Sequence, residues 1–453
     1  MSDPIHKLYE TRAYPAMSHP LSDPAVTSVV ALLGGLAAPH PATARILEIG
    51  CGSGLNLIPL ALRWPHSRFV GIDLSGPAIA TARKIAKASG ASHIEFHAVD
   101  LRDFAPSGPP FDFIIAHGFL SWVPDEVKAA LFAFCRRHLA AAGTATISFN
   151  LEDGWRPRFP VIEKIRAIQL AGAEDVMSAL TLLRSVTAPD SPDFPIIDDM
   201  LAKGAEILAF DDFGPINDPW PLDRFVQSAA AAGLLPLGDS HLCNPLPVHL
   251  NDSTLSDLLS RKTPDSAAWL LSVNAPSAST FRSVVLCRND APFCDRPASE
   301  RVFQLAVRAG GLSLDSRQKQ PFQSIVSFAP CCLPMEEMMA TIPDCERSEM
   351  ALRVYQGICD GSVLPRIEAV QFDPEPPERP MLNAFRWECA RRGLPLVDIW
   401  HQPCSFPAGH YDVLRAMDGT RDQAGLAQFS KQRCPELDFA PWLRHLAHRG
   451  MFA

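Results

Sequence analysis

The first third of the chain alternates short apolar segments with amphipathic ones, and this rhythm constrains the fold more than any other feature. Several of the apolar segments are followed by a segment whose apolar residues recur at helical spacing, as at Leu55–Arg63 and Asp125–Leu139. Strand and helix alternating at this spacing predict an α/β fold, with a parallel sheet covered by helices on both faces. The predicted strands are Arg45–Ile49, Phe69–Ile72, Ile94–Ala98, Phe113–Ala116 and Thr144–Phe149.

A glycine-rich segment follows the first predicted strand. Gly50, Gly52 and Gly54 lie between that strand and the next helix. Glycine lets backbone approach a ligand closely, and the start of a helix offers unpaired N–H groups to an anion. The third glycine comes one position too early for the dinucleotide pattern G-x-G-x-x-G. The segment therefore favours a small carboxylate over a pyrophosphate.

Carboxylates follow the second and third predicted strands. Asp73 can accept hydrogen bonds from both ribose hydroxyls, and Asp100 can accept one from an adenine amino group. Each also has a simpler interpretation, because Asp73 could cap the next helix and Asp100 could close a turn toward Arg102. Since parallel strands end at one edge of the sheet, the two carboxylates and the glycines predict a site for an adenosine with an amino-acid tail. That ligand is S-adenosylmethionine.

The motif E-x-G-x-G-x-G, followed by Asp73 and by Asp100-Leu101, resembles the class I S-adenosylmethionine-dependent methyltransferases. The resemblance implies a Rossmann-like seven-stranded sheet in the order 3-2-1-4-5-7-6, with an antiparallel seventh strand at Ser283–Cys287. It implies S-adenosylhomocysteine as the product and requires no metal. The cofactor-binding residues it implies are Glu48, Gly50, Gly52, Gly54, Asn56, Asp73, Leu74, Asp100, Leu101 and His117.

Further segments are similar to bacterial methyltransferases with a methyltransferase regulatory domain, a group that includes rickettsial protein-lysine methyltransferases. They include Ala-His-Gly-Phe-Leu-Ser-Trp-Val-Pro at 116–124 and Leu-Arg-Ala-Met-Asp-Gly-Thr-Arg at 414–421. This resemblance implies a lysine acceptor and a C-terminal α+β, winged-helix-like domain. Residues 151–153 differ from the group, which often has a proline there. The difference borders the expected substrate site and leaves the acceptor open.

Candidate catalytic and substrate-binding residues lie around the predicted methyl-transfer position. His117 could act as a general base or be structural, and Asn150 could orient the nucleophile. Trp122 could line the acceptor pocket or pack in the core. Tyr9 and Tyr14 could belong to a lid over the cofactor or to a surface strap. The catalytic candidates are His117, Tyr14 and Asn150, and the substrate-binding candidates are Tyr9, Tyr14, Trp122, Asn150 and Trp155.

The chain exceeds the size of a single core, so several parts are expected. Helical spacing recurs beyond the sheet, including at Arg301–Ala309. The predicted parts are an N-terminal lid (1–40), the cofactor-binding core (41–155), a helical insertion over the substrate (156–215), the end of the core (216–290) and a C-terminal regulatory domain (298–453).

The composition of the chain limits the kinds of partner and the cellular location that we expect. A net charge of −9 argues against binding to nucleic acid or anionic lipid by bulk charge. No apolar segment approaches the ~18 residues of a membrane span. The 12 cysteines form no C-x-x-C motif, which suits reduced thiols in the cytoplasm.

Three functional hypotheses remain open from the sequence. The first is a methyltransferase acting on a protein lysine. The second is a methyltransferase for a small molecule or modified peptide, in which the C-terminal domain serves recognition or homodimer formation. The third is a regulator that senses S-adenosylmethionine and reads nucleic acid, which the acidic charge disfavours.

Overall fold

The computed structural model describes residues 14–37, 39–242, 279–293, 301–310, 322–340 and 342–453. A central sheet has seven strands. These are β1 (Arg45–Ile49), β2 (Arg68–Asp73), β3 (Ile94–Ala98), β4 (Phe111–Ala116), β5 (Leu139–Asn150), β6 (Leu234–Asp239) and β7 (Phe281–Arg288). They lie in the order β3-β2-β1-β4-β5-β7-β6.

The sheet has the predicted topology. Strands β1 to β5 pair in parallel, and β7 lies antiparallel between β5 and β6. Ile46 of β1 sits beside Phe69 of β2 and Phe113 of β4. The predicted Rossmann-like sheet and its antiparallel seventh strand are confirmed.

Helices cover both faces because the central strand is apolar on both. Ile46 packs into one core, whereas Leu47 and Ile49 pack into the core on the opposite face. This is the pattern of a strand buried on both sides. The first four helices are α1 (Pro24–Leu33), α2 (Leu57–Arg63), α3 (Gly76–Ser89) and α4 (Asp125–His138).

A helical segment separates β5 from the last two strands. It contains α5 (Glu152–Trp155), α6 (Arg158–Leu170), α7 (Val176–Val186) and α8 (Asp193–Asp211), and α9 (Leu222–Ala231) returns to the sheet. The segment has its own small core, including Val161, Leu180 and Met200. Gly204, at φ 77° and ψ 164°, interrupts α8. In the described ranges neither α8 nor any other helix is long and apolar enough to cross a membrane.

The C-terminal part begins with a three-stranded antiparallel sheet. It contains β8 (Ala306–Ala309), β9 (Leu333–Pro334) and β10 (Val363–Arg366), with α10 (Phe322–Ser327), α11 (Met335–Ala340) and α12 (Asp344–Cys359). The helix predicted over Arg301–Ala309 is wrong. A 3-10 turn at Val302–Gln304 leads into β8. Residues 306–309 form a strand because they pair with β10 on one edge and with β9 on the other.

The end of the chain is mainly helical. Its elements are α13 (Ala384–Arg392), β11 (Leu396–Val397), β12 (Pro403–Cys404), α14 (Ala408–Arg415), α15 (Gln423–Arg433) and α16 (Phe439–His448). Phe385 and Cys389 of α13 share one core with Ile79 and Ala82 of α3. The C-terminal helices therefore pack directly on the domain that contains the glycine-rich segment.

A helix of the N-terminal segment belongs to a buried core. Val29 and Leu33 of α1 are buried in the core that holds Val307 and Tyr355 of the C-terminal part. The most apolar portion of the predicted lid (1–40) is therefore a core helix, and the lid itself stays a prediction. Residues 14–16 and His19 still lie at the cavity described next.

Candidate active site

A cavity of about 1180 Å³ opens where β1, β2, β4 and β5 end. Open α/β sheets bind ligands at this edge. Three predicted site residues, Glu48, Gly54 and Asn56, are not part of its wall, and Tyr9 lies outside the described residues. The predicted residues that line it are Tyr14, Gly50, Gly52, Asp73, Leu74, Asp100, Leu101, His117, Trp122, Asn150 and Trp155.

The glycine-rich segment forms a tight loop under the cavity. Gly50 has φ 75° and Gly52 has φ 51°, in the left-handed region that disfavours side chains. A Cβ at Gly52 would meet nothing within 4 Å, so open space adjoins this backbone. Gly54 serves packing instead, because a Cβ there would lie 2.9 Å from the Phe96 ring. The predicted contact of Gly54 with the ligand stays a prediction.

Glu48 and Asn56 form a buried pair outside the cavity wall. Asn56 Nδ2 donates to Glu48 Oε1 at 2.6 Å, and both residues are buried. Burial raises the pKa of Glu48 to about 8. Glu48 Oε2 has no hydrogen-bond partner among the described residues. The side-chain amide of Asn56 is engaged by protein groups, and the predicted contact of Asn56 with the cofactor stays a prediction.

Asp73 joins the ends of β1 and β2. Its Oδ2 accepts from the Gly52 N–H and its Oδ1 from the Ser75 N–H, both at 2.8 Å. Burial raises the pKa of this carboxyl. Its position in the cavity fits a carboxylate that accepts hydrogen bonds from a ligand, and the ribose contact stays a prediction.

Asp100 already has a strong partner. Its Oδ1 accepts from the Arg102 N–H at 2.8 Å, and its Oδ2 lies 2.7 Å from the Arg102 guanidinium. These hydrogen bonds lower the pKa of Asp100. This is the turn that the sequence left open as the simpler interpretation. Asp100 and Leu101 nevertheless line the cavity, so their contact with adenine stays a prediction.

Two imidazoles stack inside the cavity. The rings of His19 and His117 are 4.0 Å apart at 25°. Burial lowers the pKa of His19 to about 4 and that of His117 well below its usual value. Both rings are therefore neutral at neutral pH. Nδ1 of His117 has no hydrogen-bond partner in the described part of the chain.

A carboxylate and aromatic rings meet at another wall of the cavity. The Tyr14 hydroxyl donates to Asp211 Oδ1 at 3.3 Å, and the Tyr14 ring meets the Phe210 ring edge-on at 5.3 Å. Burial raises the pKa of Asp211 to about 6. We call Tyr14, Phe210 and Asp211 the acidic aromatic wall.

Asn150, at the end of β5, connects this wall to the sheet. Asn150 Nδ2 donates to Asn217 Oδ1 at 3.1 Å, and Asn217 Nδ2 donates to the Asp211 carbonyl at 2.7 Å. The Trp155 ring lies 5.6 Å from the Lys203 ammonium. Lys203 also lines the cavity, so charges of both signs line the cavity near the acidic aromatic wall.

Sequence reasoning missed His19, Lys203, Phe210 and Asp211 as cavity residues. Three of them lie on α8, and no motif marks this helix. The one available signal was Gly204 inside a helical pattern, which indicates a kink that re-aims the residues after it.

Residues 46–143 match the family described as "Methyltransferase domain". This stretch contains the glycine loop, the strand-end carboxylates Asp73 and Asp100, and strands β2 to β4 of the sheet. Residues 46–143 form a class I S-adenosylmethionine-dependent methyltransferase domain.

Solved structures resemble this chain over nearly its whole length. PKMT2 from Rickettsia typhi superposes with a TM-score of 0.77 at 18% identity, covering 96% of both chains. The structure of PKMT2 in complex with AdoHcy superposes with a TM-score of 0.73 at 19% identity, covering 94% of this chain and 92% of that one. At such identities the likeness shows the shared fold.

Curated relatives match over shorter stretches. The protein RP789 of Rickettsia prowazekii is 41% identical over 150 residues, which are 33% of this chain and 27% of that protein. Trans-aconitate 2-methyltransferase of Azoarcus sp. is 35% identical over 104 residues, or 23% of this chain and 38% of that enzyme. The chain spans only 27% and 59% of the lengths of two rickettsial relatives.

The residues of the methyltransferase domain fit S-adenosylmethionine. Open space adjoins Gly52, the Asp73 carboxylate faces the cavity, and Glu48 Oε2 is a buried oxygen with no partner in the described ranges. Among the residues that the structure describes, no cluster of His, Cys, Asp and Glu could hold a metal ion.

Proposed function

We propose that the protein transfers a methyl group from S-adenosylmethionine to a lysine amine of a partner protein. The acidic aromatic wall carries this proposal. A lysine ammonium is attracted by a carboxylate and by the faces of aromatic rings, and Asp211, Tyr14 and Phe210 offer both. The sequence resemblance to rickettsial protein-lysine methyltransferases supports the same acceptor.

The bound cofactor would supply an electrophilic methyl carbon, and the chain's task is to position the acceptor and exclude water. Asp73, Leu74, Asp100 and Leu101 would hold the nucleoside. The loop of Gly50 and Gly52 would hold the amino-acid tail, with Glu48 acting from outside the cavity wall.

On the acceptor side, Asp211 would draw in the ammonium, and Tyr14 would orient the Asp211 carboxylate. The ammonium would release one proton to solvent, because only the neutral amine can accept a methyl group. His117 is too weakly basic to hold a proton at neutral pH, because burial lowers its pKa well below the usual value. It would instead accept a hydrogen bond from the amine. Asn150, Trp122 and Trp155 would shape the pocket, and Tyr9 keeps its predicted role in acceptor binding.

A second candidate is an anionic small molecule as the acceptor. Lys203 lines the cavity and would attract a carboxylate. Trans-aconitate 2-methyltransferases are among the relatives. Lys203 is already 3.4 Å from Asp212, which reduces the attraction it can offer.

We also propose that the C-terminal part has a regulatory role and a winged-helix-like character in its first half. The antiparallel sheet of β8, β9 and β10 beside α12 supports this interpretation. The described cysteines are all free thiols, in keeping with a proposed cytoplasmic location.

The deciding experiment incubates the purified protein with radiolabelled S-adenosylmethionine and lysate of the source organism. Label in macromolecules that survives nuclease and disappears with protease would support a protein acceptor, and mapping by mass spectrometry should find methyl-lysine. Label confined to small molecules would overturn the lysine proposal in favour of the second candidate. Heat-treated enzyme is the control.

A further inference from the structure

A residue of the C-terminal part reaches the buried pair outside the cofactor cavity. His401 Nε2 lies 2.8 Å from Asn56 Oδ1, and Asn56 Nδ2 lies 2.6 Å from Glu48 Oε1. All three side chains are buried. A chain of two hydrogen bonds therefore links His401 to the acidic residue of the glycine motif.

The direction of these hydrogen bonds follows from one unambiguous donor. The backbone N–H of His19 donates to Asn56 Oδ1 at 2.8 Å, so the oxygen of this amide must face His19 and His401. The amide nitrogen then faces Glu48. His401 Nε2 must carry a proton and donate it, which fixes the tautomer of this ring.

The backbone holds His401 in an unfavourable conformation. Its φ of 65° is the one positive φ of a non-glycine residue in the described part of the chain. Such a conformation persists only where its surroundings enforce it, and it points to a functional role. The His401 carbonyl accepts from Ser18 Oγ at 2.9 Å, and its N–H donates to the Asp398 carbonyl at 3.1 Å.

The same turn also holds the far end of the helix that follows the glycine loop. The Arg63 guanidinium donates to the Ile399 carbonyl at 2.9 Å. Asn56 precedes the first residue of α2, and Arg63 is its last. The turn around His401 thus contacts both ends of α2.

We infer that His401 is a positioning residue for cofactor binding: it fixes Asn56, and through Asn56 it sets the position of the Glu48 carboxyl. The C-terminal part thereby completes the cofactor site of the methyltransferase domain. This inference is independent of the acceptor, because it concerns the cofactor side alone.

Two amide substitutions test it, with binding of S-adenosylhomocysteine to the full chain measured by calorimetry. Gln places an amide nitrogen close to the position of Nε2, whereas Asn places one close to Nδ1 and cannot reach Asn56. We expect His401→Asn to weaken binding about tenfold, the usual size of one lost hydrogen bond, and His401→Gln to bind like the parent. Asn tolerates a positive φ better than Gln, so backbone strain would produce the opposite order.

A double-mutant comparison gives a second readout. In an Asn56→Ala background, His401→Asn should cause no further loss of affinity, because the connection is already broken. Additive losses would overturn the inference. So would a His401→Asn protein that binds like the parent and only melts at a lower temperature. Failure of the lysine proposal would leave these affinities unchanged, so the two results are distinguishable.

Discussion

At the scale of single residues, Asp211 is the group on which the proposed acceptor site depends. Its carboxylate faces the cavity, and it belongs to a helix that the sequence did not mark as functional. Replacing it tests the acceptor site without touching the cofactor side.

Asp211→Asn should reduce methyl transfer at least about tenfold, because a charge-assisted contact with the ammonium is lost. Its affinity for S-adenosylhomocysteine should not change. With a pKa of about 6, Asp211 should also give the parent a rise in activity through that pH, and the variant should lack this rise. Asp198→Asn, a partly exposed position on the same helix, is the control.

The effect of Asp211 on the pH dependence of the free energy of unfolding has a predictable sign. Burial raises the Asp211 pKa from 3.8 to about 6, so the folded protein holds a proton there that the unfolded chain releases. The free energy of unfolding should therefore fall as pH rises from about 4 to 6. Asp211→Asn should remove this part of the fall, measured by urea unfolding at several pH values. An unchanged profile would contradict the burial of this carboxyl.

Asp73 is the corresponding residue on the cofactor side. Asp73→Ala should weaken binding of S-adenosylhomocysteine by about 1–3 kcal/mol, because both a ligand contact and the bond to the Gly52 N–H are lost. Asp103→Ala, an exposed carboxylate outside the cavity wall, should bind normally in the same calorimetric assay. Equal affinities would remove the ribose assignment.

At the scale of elements, the kink in α8 decides which residues reach the cavity. Gly204 has φ 77° and ψ 164°, a region that is essentially restricted to glycine. The residues after it, Ala205 to Asp211, include most of the helix's contribution to the cavity wall. The kink therefore directs the stretch that holds Phe210 and Asp211 toward the cavity.

Gly204→Ala should lower methyl transfer more than it lowers cofactor affinity, and should destabilise the fold by about 1–3 kcal/mol. Gly172→Ala is a matched control, because Gly172 also has a positive φ and open space around its Cβ but lies outside the cavity wall. Steady-state kinetics and thermal melts separate the two effects. Equal losses of transfer in both variants would mean that strain alone is responsible.

The elements also show what the sequence could predict. The sheet and its strand-end residues follow from apolar strands and a glycine motif, which act locally. The strand at Ala306–Ala309 could not be predicted, because its apolar spacing also suits a helix and only pairing with β9 and β10 decides between them. The partners of Asn56 could not be predicted either, because His19 and His401 are distant from it in sequence.

At the scale of the whole molecule, one buried carboxylate joins three parts of the chain. Asp23 Oδ2 lies 2.8 Å from both the Arg63 and the Arg366 guanidinium groups and is fully buried. Arg63 belongs to the methyltransferase domain and Arg366 to the C-terminal sheet. These charges hold the pKa of Asp23 well below its usual range.

The protein should consequently unfold in a single calorimetric transition, because α3 and α13 also share one core. Asp23→Asn should lower the free energy of unfolding by about 3–5 kcal/mol, since it leaves buried cations without their anion. Asp422→Asn, at the exposed N-cap of α15, should cost less than about 1 kcal/mol, because Asn caps a helix nearly as well as Asp does. Two separate transitions in the parent would contradict this account.

The ion cluster at Asp23 has an evolutionary consequence. A gene fusion that grafted this methyltransferase domain onto a different C-terminal partner would have to bring an equivalent of Arg366, or leave an acid buried beside a single cation. Recombination at the apparent domain boundary is therefore penalised, and the two parts are expected to diverge together as one inherited unit.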